Sequence, residues 1–220
     1  MPLPNTQTKT TIADFPLRKS SNRAIQRGFD LIFSLLVLIG LFWWIHIILA
    51  VLIKCTSKGP VIFRQIRIGK DSNSFRCYKY RTMVVDVDAA SGEPPITEET
   101  DVRITLIGRI LRQTNLDELP QFLNVLKGEM SVVGPRPHML AEDDELRRHI
   151  PNYRDRLLVR PGITGWAAIN GFRGGTKDMD HMRRRIELDA WYIRHWSFRL
   201  DIKIFLITAW RMLTLRTGGK

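Results

Sequence analysis

Little in this sequence fits an ordinary soluble or secreted domain. Two cysteines in 220 residues, Cys55 and Cys77, cannot build a disulfide framework, and their spacing is not that of metal ligands. Acid is scarce: 22 Asp and Glu face 34 Lys and Arg, giving a net charge of +12 and a pI near 10.2. That balance requires an anionic partner, whether nucleic acid, phospholipid head groups or a phosphorylated substrate. The chain carries no internal repeat and no recognised nucleic-acid-binding module, so the charge is assigned away from nucleic acid. Formal charge is absent altogether from Leu31 to Ile53, 23 residues in which Gly40 is the only conventional helix breaker. No small-residue cleavage site follows that run, which excludes a cleaved signal peptide.

As a helix the run reaches roughly 35 Å at about 1.5 Å per residue, enough for a bilayer core. Lys9, Arg18, Lys19, Arg23 and Arg27 precede it, and Lys54, Lys58, Arg64, Arg67 and Lys70 follow it. A simple span normally has one basic side, the cytoplasmic one. With both sides basic, two topologies stay open: a span, or a helix that dips into the inner leaflet and re-enters the cytosol.

The pattern divides the chain into a mobile tail over 1–22, a membrane helix over 23–54 and a cytosolic domain over 55–220. The fold class expected is α+β and mainly helical. Val61–Phe63 and Phe75–Arg81 are predicted as strands of a small hairpin turning at 69–73. A polar loop covers 86–101, and apolar spacing predicts helices on both sides of 117–118 and again over 140–150. A Gly-rich region spans 161–175. From Trp191 to Leu213, aromatic and aliphatic residues alternate with Arg194, Arg199, Lys203 and Arg211. Such helices lie in a membrane interface or pack as core helices with a solvated face.

The densest chemistry lies in residues 112–137. Asp117 and Glu118 are adjacent acids among Arg112, Lys127 and Arg136. Cations there can hold a phosphorylated substrate while the carboxylates bind metal or attack phosphorus. The plainer alternative is a capping box, with Asn115 capping a helix and Glu118 three positions on, although that leaves Asp117 without a task. Lys79 and Arg81 alternate with Tyr78 and Tyr80, so the two cations share one strand face. Arginines suit bidentate phosphate contacts, and Mg²⁺ binds through one or two carboxylates plus substrate phosphates.

Seven stretches in order resemble the bacterial sugar transferase family, the monotopic polyprenyl-phosphate phosphoglycosyl transferases. They are Lys58-Gly-Pro-Val-Ile-Phe-Arg64 through Gly69, Phe75-Arg-Cys-Tyr-Lys79-Tyr-Arg81-Thr-Met83, Arg103 through Arg109, Leu116-Asp-Glu-Leu-Pro-Gln121, Asn124 through Ser131, Val133-Gly-Pro-Arg-Pro137 and Arg160-Pro-Gly-Ile-Thr-Gly-Trp166. The resemblance covers roughly residues 23 to 215. It implies transfer of a sugar 1-phosphate, a hexose, from a UDP-sugar to undecaprenyl phosphate with release of UMP. It also implies a covalent aspartyl intermediate and a role in initiating exopolysaccharide or capsule synthesis. Asp117 matches the family's nucleophile and Mg²⁺ (or Mn²⁺) contact, and Glu118 matches its partner. Lys79, Arg81, Arg112 and Arg136 fall where members bind phosphate, and Arg160 is a further substrate-binding candidate.

The implied setting is the bacterial cytoplasmic (inner) membrane, with the catalytic domain facing the cytosol. The form implied is a minimal one, without the long N-terminal membrane region of larger members. One departure stands out. Trp43-Trp44 occupy the place of a Ser-Pro pair whose proline kinks the helix back to the cytosol. Rival functions are a glycosyl transferase releasing UDP, for which Asp86-Val-Asp88 is the nearest metal-binding pair, and a non-catalytic membrane scaffold. Neither the sugar nor the oligomeric state can be read from these residues.

Overall fold

The computed structural model describes residues 14–84, 101–173 and 178–214. Helices dominate: α1 (Ser20–Val37), α2 (Trp43–Thr56), α3 (Leu106–Thr114), α4 (Gln121–Lys127), α5 (Leu140–His149), α6 (Trp166–Ile169), α7 (Met179–Arg194) and α8 (Phe198–Leu213). Among the described residues four strands form two small sheets. β1 (Ile62–Ile68) and β2 (Ser74–Tyr80) make an antiparallel hairpin with Phe63 opposite Lys79. β3 (Ser131–Val133) and β4 (Gly162–Thr164) pair in parallel. The hairpin forms where expected, with β1 continuing past Phe63 to Ile68. The second sheet lies in stretches read only as loop and Gly-rich segment, because three-residue strands show no usable alternation.

α1 and α2 are joined by a π-helical turn over Leu38–Phe42, so residues 20–56 form one apolar helix of 37 residues. Gly40 lies inside that turn, where a single extra residue per turn re-aims the faces of the two helices. The helix begins at Ser20 rather than at the expected Arg23. Ahead of it, a 3₁₀ turn over Pro16–Arg18 buries Leu17 in the core.

α1 is inside out by the standards of a soluble helix. Gln26, Asp30 and Ser34, one helical turn apart, are buried, whereas Ile25, Ile32, Leu35 and Leu36 are exposed. Water favours the reverse arrangement, and a lipid phase favours this one. The buried polar stripe is bonded to the domain. Asp30 accepts from Ser131 Oγ at 2.9 Å and from the Val132 N–H at 2.8 Å, and Gln26 Nε2 donates to Asp201 at 3.2 Å. Phe29 and Phe33 then pack on Phe122 of α4 and on Phe198 and Phe205 of α8. Such ring pairs contribute ~0.5–1.5 kcal/mol each beyond area burial.

α2 packs on the same body: His46 Nδ1 lies 3.0 Å from Tyr80 Oη, and Leu49 and Ile53 are buried. Its other face exposes Trp43 (66 %), Trp44 (70 %), Ile47, Ile48 and Val51. Leu206, Trp210 and Leu213 of α8 are exposed as well. The helix over residues 20–56 is long and apolar enough to cross a membrane. Of the two expectations for the C-terminal helices, core packing is seen at Tyr192, Ile193 and Trp196, while Leu206, Trp210 and Leu213 of α8 are exposed.

Candidate active site

Asp117 and Glu118 occupy a 3₁₀ turn, Leu116–Glu118, between α3 and α4. Asn115 closes α3 in a left-handed conformation (φ 57°) and caps nothing with its side chain. The capping box is therefore not formed, and the Glu118 carboxylate is free for other work. It accepts from Lys79 Nζ at 3.2 Å and Arg136 Nη2 at 2.9 Å on Oε1, and from Arg173 Nη2 at 2.9 Å on Oε2. Burial disfavours its charge, but Arg136, Lys79 and Arg173 together hold the carboxyl well below the usual glutamate range.

The partners come from three parts of the fold, each fixed by its own backbone. Lys79 lies near the end of β2, which is fastened to α4 by Asn124. The fully buried amide of Asn124 accepts from the Tyr78 N–H at 3.0 Å and donates to the Arg76 carbonyl at 2.7 Å. Arg136 sits in the loop after β3, which passes so close to β4 that Cβ atoms at Gly134 or Gly162 would overlap the facing backbone. Its carbonyl accepts from the buried Arg156, itself paired with Asp189 of α7 at 3.1 Å. Arg173 follows the Gly171 turn, and Arg185 of α7 donates to the neighbouring Phe172 carbonyl at 2.9 Å.

Asp117 is buried beside this cluster, and no described residue donates a hydrogen bond to its carboxylate. Burial and the adjacent Glu118 charge push its carboxyl from 3.8 up to about 6, against the pull of Lys79, Arg173 and Arg136. The pair is thus differentiated: Glu118 is an ionised anchor bonded to three cations, and Asp117 accepts no hydrogen bond from any described residue. Burial works against the Arg112 charge and the Asp117 charge favours it, while its Nε donates to Thr82 Oγ1 at 2.9 Å.

The remaining candidates are elsewhere. Arg81, just past β2, is buried and donates to the Ser57 carbonyl at 2.7 Å; it does not join Lys79 on Glu118. Lys127 stacks over Tyr78 and donates to its hydroxyl at 2.6 Å. Arg160 lines a separate cavity near the start of α1. Asp86 and Asp88 lie outside the described residues. Arg173 is the residue the motifs did not single out; its signal was an arginine between glycines in Gly171-Phe-Arg-Gly-Gly.

Among the described residues no three His, Cys, Asp or Glu side chains cluster as a metal cage. A divalent ion held by one carboxylate and substrate phosphates needs no cage. Asp117, with no competing donor, has the free oxygens for that single contact.

An apolar helix is thus fastened to a basic domain that holds, among the described residues, a cation-clamped carboxylate beside one with no hydrogen-bond donor. The chain belongs to the bacterial sugar transferase family, whose model matches residues 21–215. It is 46 % identical over 200 residues to a UDP-glucose:undecaprenyl-phosphate glucose-1-phosphate transferase of Klebsiella pneumoniae, covering 90 % of this chain and 42 % of that protein. It is 42 % identical over 190 residues to a UDP-N-acetylgalactosamine-undecaprenyl-phosphate N-acetylgalactosaminephosphotransferase of Aeromonas hydrophila, covering 86 % and 44 %. The chain therefore spans less than half the length of these two relatives. The exopolysaccharide production protein PSS of Rhizobium leguminosarum bv. phaseoli is 43 % identical over 197 residues, with 88 % of this chain and 98 % of that protein covered.

Proposed function

We propose that this protein transfers a sugar 1-phosphate from a UDP-hexose to undecaprenyl phosphate and releases UMP, as the first membrane step of exopolysaccharide or capsule synthesis. The observation that carries the reading is the contrast between its two acids. Glu118 is engaged by Lys79, Arg136 and Arg173, while among the described residues none donates a hydrogen bond to Asp117 beside it.

In the first step an Asp117 carboxylate oxygen attacks the phosphorus bonded to the sugar. The bond from that phosphorus to the bridging oxygen breaks, and UMP leaves with the electron pair. In the second step a phosphate oxygen of the acceptor attacks the same phosphorus and frees the Asp117 carboxylate. The product is a lipid diphosphosugar. Carboxylates serve as covalent nucleophiles, and phosphoryl transfer otherwise relies on positioning and charge neutralisation. Lys79, Arg136 and Arg173 keep Glu118 ionised beside the reacting group, where it accepts or places the proton of the incoming phosphate. Arg112 adds positive charge on the Asp117 side. A Mg²⁺ or Mn²⁺ ion on Asp117 would supply further neutralisation of the diphosphate.

The membrane helix is read as re-entrant, in the bacterial cytoplasmic membrane with the domain in the cytosol. α1 and α2 both pack on one domain, the start of α1 through Gln26 and the end of α2 through Ile53 and the Ser57–Arg81 bond. A transverse span would carry one end away from that body. The π turn at Leu38–Phe42 takes the place of a proline kink. The sugar stays open between the glucose and N-acetylgalactosamine of the relatives.

The test is the nucleotide released when membranes holding the protein meet undecaprenyl phosphate, Mg²⁺ and a panel of UDP-hexoses. UMP is expected, and UDP would overturn the reading. Asp117→Asn keeps shape and membrane association but removes the nucleophile; a loss of about 10³-fold or more is expected. Labelled sugar phosphate should stay on wild-type protein and not on the variant.

A further inference from the structure

Asp189 makes no bond to Glu118, yet two of the three cations on Glu118 depend on it at one remove. It is buried on α7, where its Oδ2 lies 3.1 Å from Arg156 Nη2. Arg185, one helical turn before it, is the second cation whose charge acts on it. Both guanidiniums are as buried as the carboxylate between them. Burial and the charge of Arg136 push Arg185 down to about 10, and Asp189 is the first carboxylate that opposes them.

Each of these arginines reaches a loop of the site. Arg156 donates to the Arg136 carbonyl, and Arg185 Nε donates to the Phe172 carbonyl at 2.9 Å. The first loop is held at four successive carbonyls. Pro135 accepts from the Gly162 N–H at 2.8 Å, Arg136 from Arg156, Pro137 from Arg67 Nη1 at 3.4 Å and His138 from the Ile68 N–H at 3.0 Å. Two of those donors are backbone groups, and Arg67 is itself held from β1 by Gln65 Oε1 at 2.6 Å. Arg156 is the donor paired with α7. In the second loop the Gly171 turn (φ 93°) gives the chain its freedom, and Arg185 fixes the carbonyl just before Arg173.

We infer that Asp189 is a positioning residue for the transfer site: by holding Arg156 and Arg185 it sets the two loops that bring Arg136 and Arg173 to Glu118. Arg136 takes Oε1 and Arg173 takes Oε2 of that one carboxylate. Both loops must therefore be placed together, since a displacement of about 1 Å is enough to lose either bond. Removing one member of a buried charge group leaves the others buried and displaced, so the loss of Asp189 acts on both loops at once. The effect of Asp189 on the reaction passes through Arg136 and Arg173. The inference deepens the proposed transfer reaction and rests on it for its activity readout, whereas its loop readout stands alone.

The test compares wild-type protein with Asp189→Asn, which keeps the volume and removes the charge, by amide hydrogen exchange in detergent and by kcat/KM. Exchange should rise about ten-fold or more at 134–138 and at 171–173 together. β2 should keep close to its wild-type rate, because Asn124 of α4 fastens that strand. kcat/KM should fall about 10–100-fold, and by much less when Arg173→Ala is already present. Unchanged exchange in either loop, or a rise spread evenly over the chain, overturns the inference. An equal loss of activity in both backgrounds overturns it as well. Should Asp189→Asn fail to fold, Arg185→Met takes its place. Exchange should then rise at 171–173 and not at 134–138, with Arg185→Lys returning it toward wild type; no rise in Arg185→Met would sink the idea. If no UDP-hexose yields UMP, the transfer reading fails, and the exchange pattern still decides the role of Asp189.

Discussion

At the scale of single residues, the site separates two neighbouring acids by environment. Glu118 is held ionised by three cations, and in the proposed reaction the raised Asp117 carboxyl loses its proton before it attacks. On that mechanism the catalytic rate should rise with pH through about 6 and level off above, because only the unprotonated form serves as nucleophile. Glu118→Gln removes the adjacent negative charge and frees the cations to act on Asp117. Both effects lower the Asp117 value, so the acid limb of kcat/KM should move to lower pH in that variant, alongside a fall of roughly 10²–10⁴. A limb that stays in place would mean that another group sets it. Arg173→Ala removes one charge-assisted bond from Glu118 and should cost about 10–100-fold in kcat/KM, with Arg173→Lys recovering part of it. The acids and Arg136 were legible because they stand in one short segment. Arg173 was not, because 55 positions separate it from Glu118 and only the folded chain closes that gap.

At the scale of elements, the fold depends on a few close backbone approaches. α3 lies so near the strand end that a Cβ on Gly108 would overlap the Thr82 carbonyl. Gly108→Ala must push α3 outward, and it should lower the Tm in detergent by roughly 2–10 °C, the result of about 1–3 kcal/mol of overpacking. Activity should fall further than stability, since Arg112 of α3 is bonded to Thr82. Unchanged Tm would show that α3 can shift freely. The hairpin and the helices around the acids were legible from alternation and from 3.6-residue spacing. The β3–β4 pair was not, because its strands are three residues long and partner each other across a separation the pattern does not record.

At the scale of the whole molecule, one apolar helix is fastened along its length to a basic domain. If α1 and α2 both stay with that domain, their outer ends share one side of the bilayer. Lys19→Cys and Lys58→Cys, each in a Cys55→Ser background that keeps only the buried Cys77, should resist a membrane-impermeant thiol reagent in intact cells and react in inverted vesicles. Labelling of one position in each preparation would establish a span.

The sequence by itself determined the long apolar helix, the mainly helical class and the adjacent acids on which the proposed reaction rests. These reside in an uncharged run of 23 residues, in local periodicity and in motifs whose members are close in the chain. Tertiary structure alone decided which cations meet Glu118, that Arg81 and Arg160 do not, and that α1 turns its polar stripe inward. Those outcomes depend on where distant backbones cross. A long cation can reach several partners, and only packing selects among them.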